Sequence, residues 1–240
     1  MATASIPRSL LGTLVVLTTA SGLIDALCYL GLGRVFTANM TGNIVVLGFA
    51  AAGAPGFSVP ATLTSLAVFV VGAICASRVI ARIPVNQRSR LLLTAMTTEV
   101  AFVGAAAIIA FSVPSVGHGW PRYLLIALLA FAMGVRNTTM RRLAVPDMTT
   151  TVLTMTVTGL AADSTLGGGS NQAAARRAAA VAAMVAGAAV GAALYLHSWA
   201  GLPLAVAATL AAASGLAFWH SQGRAEFDAW AGRPGRPSGS

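Results

Sequence analysis

Eight apolar runs separated by short polar segments set the plan of this chain. Those from Leu10 to Gly33, Ala61 to Ile80, Leu91 to Val113, Tyr123 to Met140, Ala178 to Leu196 and Leu202 to Trp219 each approach the roughly 20 residues a helix needs to cross hydrocarbon. The runs from Ile44 to Ala52 and Val152 to Ala162 are about half as long, too short to span. Each short run follows a polar string, Thr37-Ala-Asn-Met-Thr-Gly-Asn43 in one case and Asp147-Met-Thr-Thr-Thr151 in the other. The pattern predicts an all-α membrane protein with six full transmembrane helices and two half-helices.

The two short runs belong to an internal repeat. Gly22-Leu-Ile-Asp25 followed by Asn39-Met-Thr-Gly-Asn43 resembles Gly134-Val-Arg-Asn137 followed by Asp147-Met-Thr-Thr-Thr151. Downstream, Gly72-Ala-Ile-Cys-Ala76 resembles Gly187-Ala-Ala-Val-Gly191, and both are small-xxx-small patterns that let helices approach closely in lipid. The offsets are similar: 112 from residue 25 to 137, 108 from 39 to 147, and 115 from 72 to 187. One transmembrane domain over residues 1–220 is expected, with repeat 1 at about 9–113 and repeat 2 at about 121–220. Residues 221–240, rich in Gly, Pro and Arg, read as a disordered cytoplasmic tail.

Composition strengthens the membrane reading, because 57% of residues are hydrophobic and 9% charged, whereas a soluble domain carries about 25% charged residues. The net charge of +9 comes from 15 cations, all arginine. These sit at the ends of apolar runs and form no stripe interleaved with aromatics, which excludes a nucleic-acid partner. Their distribution decides the topology. If both short runs dip in and return on the same side, Arg78, Arg82, Arg88, Arg90, Arg136, Arg141, Arg142, Arg176 and Arg177 all fall on the cytoplasmic side with both termini. Arg34 and Arg122 alone remain outside, as positive-inside orientation favours. Each repeat then crosses three times, so the second is inverted relative to the first. Trp120, Tyr123, Tyr195 and Trp199 are expected to form an outer aromatic belt and Trp219 to mark the inner one. The first run continues well past a signal-peptide-like Thr19-Ala20-Ser21, so it reads as a helix that is retained.

Candidate chemistry is sparse. Asp25 and Glu99 lie inside apolar runs, where a charge costs about 2.5 kcal/mol or more and is usually functional; they are candidate ion-coupling carboxyls, with helix-to-helix bonding as the plainer alternative. Arg136, next to Asn137, either neighbours the Asp25 counterpart or reaches to the inner face. Asn39 and Asp147 can cap the short helices. Asn39, Thr41, Asn43, Asp147, Thr149 and Thr151 are therefore expected to line one substrate site where the two half-helices meet at the midplane. Cys28 and Cys75 read as buried inert thiols, and no metal or cofactor motif is present. Gly167 to Gln172 lacks the lysine of a phosphate loop and reads as a linker.

At Gly22-Leu-Ile-Asp25, Phe36-Thr-Ala-Asn-Met-Thr-Gly-Asn43, Thr149-Thr-Thr-Val-Leu-Thr154 and Thr158-Gly-Leu160 the sequence resembles the YoaK-like bacterial membrane proteins of domain-of-unknown-function class 1275. The resemblance spans about residues 10–220 and implies a six-helix inner-membrane protein without implying an activity. The reading that follows from the residues is a small secondary transporter or permease for a small molecule or ion, embedded in the lipid bilayer and not an enzyme. A non-transporting scaffold or partner subunit, and an intramembrane enzyme, are the alternatives; a homo-oligomer is compatible with either membrane role.

Overall fold

The computed structural model describes residues 8–83, 88–113, 115–143, 153–165 and 173–220. Regular structure among them is entirely helical: α1 (Arg8–Gly31), α2 (Met40–Ala51), α3 (Val59–Ile80), α4 (Arg88–Ser112), α5 (Gly119–Leu143), α6 (Leu153–Ala162), α7 (Ala174–His197) and α8 (Gly201–His220). Six of these are long and apolar enough to cross a membrane, and α2 and α6, with 12 and 10 residues, are not. Two helices, α2 and α3, start at side-chain caps that the sequence supplies, Asn39 and Ser58. Ser58 accepts a bond from the Ala61 N–H ahead of α3, with Pro60 in the first turn where no donor is needed. The expected tail over 221–240 and the linker at 167–172 lie outside the described residues.

Glycines set the two tightest helix pairs. A Cβ added to Gly22 of α1 would stand 2.5 Å from the Met184 carbonyl oxygen of α7, and Gly187 and Gly191 of α7 abut Thr19 and Leu23 in return. A Cβ on Gly72 of α3 would lie 2.5 Å from the Phe131 carbonyl oxygen of α5, and Gly134 of α5 abuts Phe69 and Ala73. Backbones come this close only where side chains are absent, which is how lipid-embedded helices gain contact without a hydrophobic driving force.

These contacts also give the directions of the helices. Thr19 faces Gly187, Leu23 faces Gly191 and Gly31 faces Tyr195, so α1 and α7 run parallel. The C-terminal turns of α3 and α5 flank one cavity, so these two also run parallel. Arg136 meets Leu17 and Ser21 while Arg122 meets Leu32, so α5 opposes α1. Glu99 meets Arg136 and Phe102 stacks on Phe131, so α4 opposes α5. Gly201 packs on Phe111 and Gly215 on Met96, so α8 opposes α4. The long helices α1, α3, α4, α5, α7 and α8 therefore alternate in direction along the chain.

The core divides into two clusters, one at each end. Leu27, Leu32, Val35, Ala61, Leu125 and Leu204 fill the end where α1 stops. Leu10, Ile80, Leu92, Met140, Leu143 and Phe218 fill the other. The outer surface is apolar: Ile108 and Val185 are 69% and 63% exposed, as expected of groups that meet lipid rather than water. Trp120 and Trp199 sit exposed at one end and Trp219 at the other. Cys28 is buried, but Cys75 is not; it lies on the outward face of α3 with Val71 and Ile74, so the expectation of two buried thiols holds for one.

Candidate functional site: the cavity where the two short helices begin

Asp25 organises the descent into α2. It precedes Gly31, the end of α1, by six residues, about 9 Å along the axis. Its Oδ1 accepts bonds from the Thr37 N–H (3.0 Å), the Ala38 N–H (3.2 Å) and the Thr37 hydroxyl (3.3 Å). The chain after α1 must therefore double back alongside it before α2 can start. Gly33 (φ 96°) and Arg34 (φ 58°), both in the left-handed region, make that reversal. Asp25 is 4% exposed, and its Oδ2 has no hydrogen-bond partner among the described residues.

Two asparagines finish the entry. Asn39 caps α2, its Oδ1 accepting from the Gly42 N–H at 3.2 Å. Asn43, fully buried, pairs with the Phe36 backbone as a second strand would: the Phe36 N–H donates to its Oδ1 at 2.8 Å, and its Nδ2 donates to the Phe36 carbonyl at 2.7 Å. Ser65 of α3 joins this knot, accepting from Asn43 Nδ2 at 3.1 Å and donating to the same carbonyl at 2.6 Å. Non-helical backbone at membrane depth has to find such partners, because lipid offers none.

Beside this entry lies a cavity of about 430 Å³. Asp25, Asn39, Thr41 and Gly42 form one wall, and Leu153 and Thr154, the first residues of α6, reach it from the other side with Met184 of α7. Tyr29, Phe36, Phe49 and Phe57 supply aromatic surface. Tyr29 and Phe36 have centroids 5.1 Å apart, and Phe49 and Phe57 5.6 Å. The lining holds one carboxylate and no cation among the described residues.

Of the residues expected at this site, Asn39, Thr41 and Asp25 come together in the cavity. Asn43 is not among the lining residues; its side-chain amide bonds the Phe36 backbone, Ser65 and the Met40 sulfur. Asp147, Thr149 and Thr151 lie outside the described residues.

Glu99 stands apart from the cavity lining, in a second polar cluster. Its Oε1 accepts from Arg136 Nη1 at 2.8 Å, with the two side chains 1% and 4% exposed. Arg136 also donates to the Leu17 carbonyl at 3.2 Å and to the Ser21 hydroxyl, tying α1, α4 and α5 together. Arg136 is thus buried, with its bonds going to Glu99, Leu17 and Ser21, and does not reach out to the inner face. Ser21 is one helical turn from Asp25, on the same side of α1, so the two clusters are neighbours. Sequence reasoning missed Ser21, Ser65 and the four aromatic residues. A lone arginine within an apolar run was a signal that Glu99 had a partner; for Ser65 no sequence signal exists.

A family model described as a protein of unknown function, DUF1275, matches residues 13–217 of the chain. The UPF0700 transmembrane protein YoaK of Bacillus subtilis (strain 168) is 35% identical over 162 residues, covering 67% of this chain and 69% of that protein. No solved structure matches the chain. That relative is named a transmembrane protein, in agreement with the six long apolar helices.

Proposed function

The chain belongs to the DUF1275 family of transmembrane proteins of unknown function, so its activity has to be argued from the bundle, and we propose that it is a small secondary transporter or permease whose site is the cavity between the starts of α2 and α6. The observation that carries this reading is the convergence of two short-helix N-termini and a buried carboxylate on one cavity. Discontinuous helices that meet inside a bundle are the usual substrate site of repeat-built transporters.

In this reading α2 and α6 are re-entrant. Each lies between two long helices of opposite direction, so each must start and finish at one end of the bundle. Arg34, just past α1, stacks over Phe57, just before α3, with 5.1 Å from guanidinium carbon to ring centroid. Arg177 at the start of α7 reaches back past the end of α6, to the Gly159 carbonyl at 2.8 Å and Asp163 at 2.5 Å. Both contacts favour a return to the same face. The helix seams support two inverted repeats. Adding 112 to the α1 residue and subtracting 115 from the α7 residue turns the contacts of Gly22 with Met184 and Ala188 into those of Gly134 with Phe69 and Ala73. The same operation turns the contact of Gly187 with Thr19 into that of Gly72 with Phe131.

The lining favours a solute with a hydrogen-bond-donating or cationic head on an apolar body. Asn39 already occupies the Gly42 N–H, which weakens α2 as an anion site. Asp25 Oδ2 is left to accept, and aromatic faces attract cations. At ~30 Å³ per water, the cavity holds roughly a dozen non-hydrogen atoms. Asp25, Glu99 and Arg136 are the buried acidic and basic residues among those described, and together they carry one net negative charge when all are ionised. A bound cation or proton would balance it, which supports ion coupling at this pair of clusters.

The test is uptake of labelled small primary amines into proteoliposomes, with Asp25→Asn as the variant. Asparagine's Oδ1 can still accept from Thr37 and Ala38, so the loop stays folded while the charge is lost. Uptake should fall by about tenfold or more, the usual weight of a hydrogen bond to a charged group. In parallel, Thr41→Cys should react with an impermeant maleimide. No uptake of any amine together with an unreactive Thr41→Cys would refute the transporter reading.

A further inference from the structure

A second cavity, of about 730 Å³, runs along the α3–α5 seam at the C-terminal ends of both helices. We propose that it binds an anionic phospholipid of the leaflet at that end, which the arginine distribution makes the cytoplasmic one. Three features match the parts of such a lipid. Arg78, Arg141 and Arg142 converge at the mouth, and no acidic residue lines it. Ser77 and Thr138 place hydroxyls beside them, at the level of a glycerol backbone. Above these the α3 wall is apolar from Phe69 to Ile74, about 8 Å of helix, which fits the upper part of an acyl chain.

The fold does not require this cluster. At the matching α1–α7 seam, 112 residues before Arg141 and Arg142, stand Tyr29 and Leu30, and 115 residues beyond Arg78 stands Ala193. The backbone geometry is shared and the arginines are not. Simple orientation by positive charge would be served by arginines anywhere on that face. Here they gather at the mouth of an amphipathic groove between helices, the arrangement that recognises a phosphate headgroup.

The experiment compares phosphatidylglycerol with phosphatidylcholine added to the purified full chain in detergent micelles. The readouts are apparent Tm and lipid retained in native mass spectrometry. Phosphatidylglycerol should raise Tm by about 5 °C over phosphatidylcholine and remain bound. The double variant R78Q/R141Q should lose both effects. R90Q, which removes one charge from α4 at the same end but outside the groove, should keep both. Ile74→Trp, which fills the apolar shaft and leaves every charge in place, should behave like the double variant and carries the test if that variant fails to fold. A Tm rise that survives in R78Q/R141Q or Ile74→Trp would overturn the proposal. So would equal loss in R90Q, or an equal rise with inorganic phosphate alone.

Discussion

Replacing Glu99 tests the most deeply buried ion pair among the described residues. Glu99→Leu leaves the Arg136 guanidinium, 4% exposed, with only the Leu17 carbonyl and the Ser21 hydroxyl as partners. Removing one member of a buried ion pair costs about 3–5 kcal/mol, because the survivor stays desolvated and unpaired. At about 2–4 °C per kcal/mol for a chain of this size, the apparent Tm in detergent should fall by at least about 6 °C. Arg136→Met should cost a similar amount by stranding Glu99. The double variant Glu99→Leu/Arg136→Met removes both charges, and Ser21 still donates to the Leu17 carbonyl at 3.1 Å. Its net cost should be no more than about 1 kcal/mol, giving a coupling energy of at least about 5 kcal/mol in a double-mutant cycle. The assay is thermal unfolding followed by tryptophan fluorescence in one detergent. Additive losses in the double variant would refute the argument, as would single variants that unfold with the wild type. If the pair also serves ion coupling, the double variant regains stability but not uptake.

Two further outcomes follow from the packing and the charge pattern. Gly72→Ala should lower the yield of folded protein and cost roughly 1–3 kcal/mol by forcing α3 off the Phe131 carbonyl, whereas Gly104→Ala, with nothing within 4 Å, should be neutral or slightly stabilising; equal effects would remove the glycine seams as the basis of pairing. On a background lacking Cys28 and Cys75, Ser115→Cys should react with an impermeant thiol reagent in intact cells and Arg82→Cys should be protected, and the reverse pattern would invert the orientation drawn from the arginines.

The sequence conveyed elements far better than contacts. Run length alone separated α2 and α6 from the spanning helices, because hydrocarbon thickness is a fixed yardstick, and Asn39 announced itself as a cap by its place before an apolar run. The glycine pattern pointed to close seams but not to which helices share them. Lipid-facing and buried faces here are both mainly apolar, so hydrophobic periodicity cannot say which side of α1 meets α7. Glu99 and Arg136 are 37 residues apart and join only once α4 and α5 lie antiparallel. An asparagine in a polar motif looks the same in sequence whether it binds a solute or saturates a backbone, as Asn43 does with Phe36. Only the position of Phe36 decides between them.

The α1–α7 seam also sets a timetable for synthesis. Gly22 and Gly187, which press against each other's helices, are 165 residues apart, from 22 to 187. At about 5–20 residues per second the ribosome needs roughly 8–33 s to deliver the second after the first. Throughout that wait α1 would sit in the translocon or in lipid with a carboxylate in its C-terminal half. Asp25 can bear the delay because the donors that satisfy its Oδ1 come from Thr37 and Ala38, made within seconds of it. Local bonding of this kind lets the nascent chain satisfy a costly group early and close the α1–α7 glycine seam later.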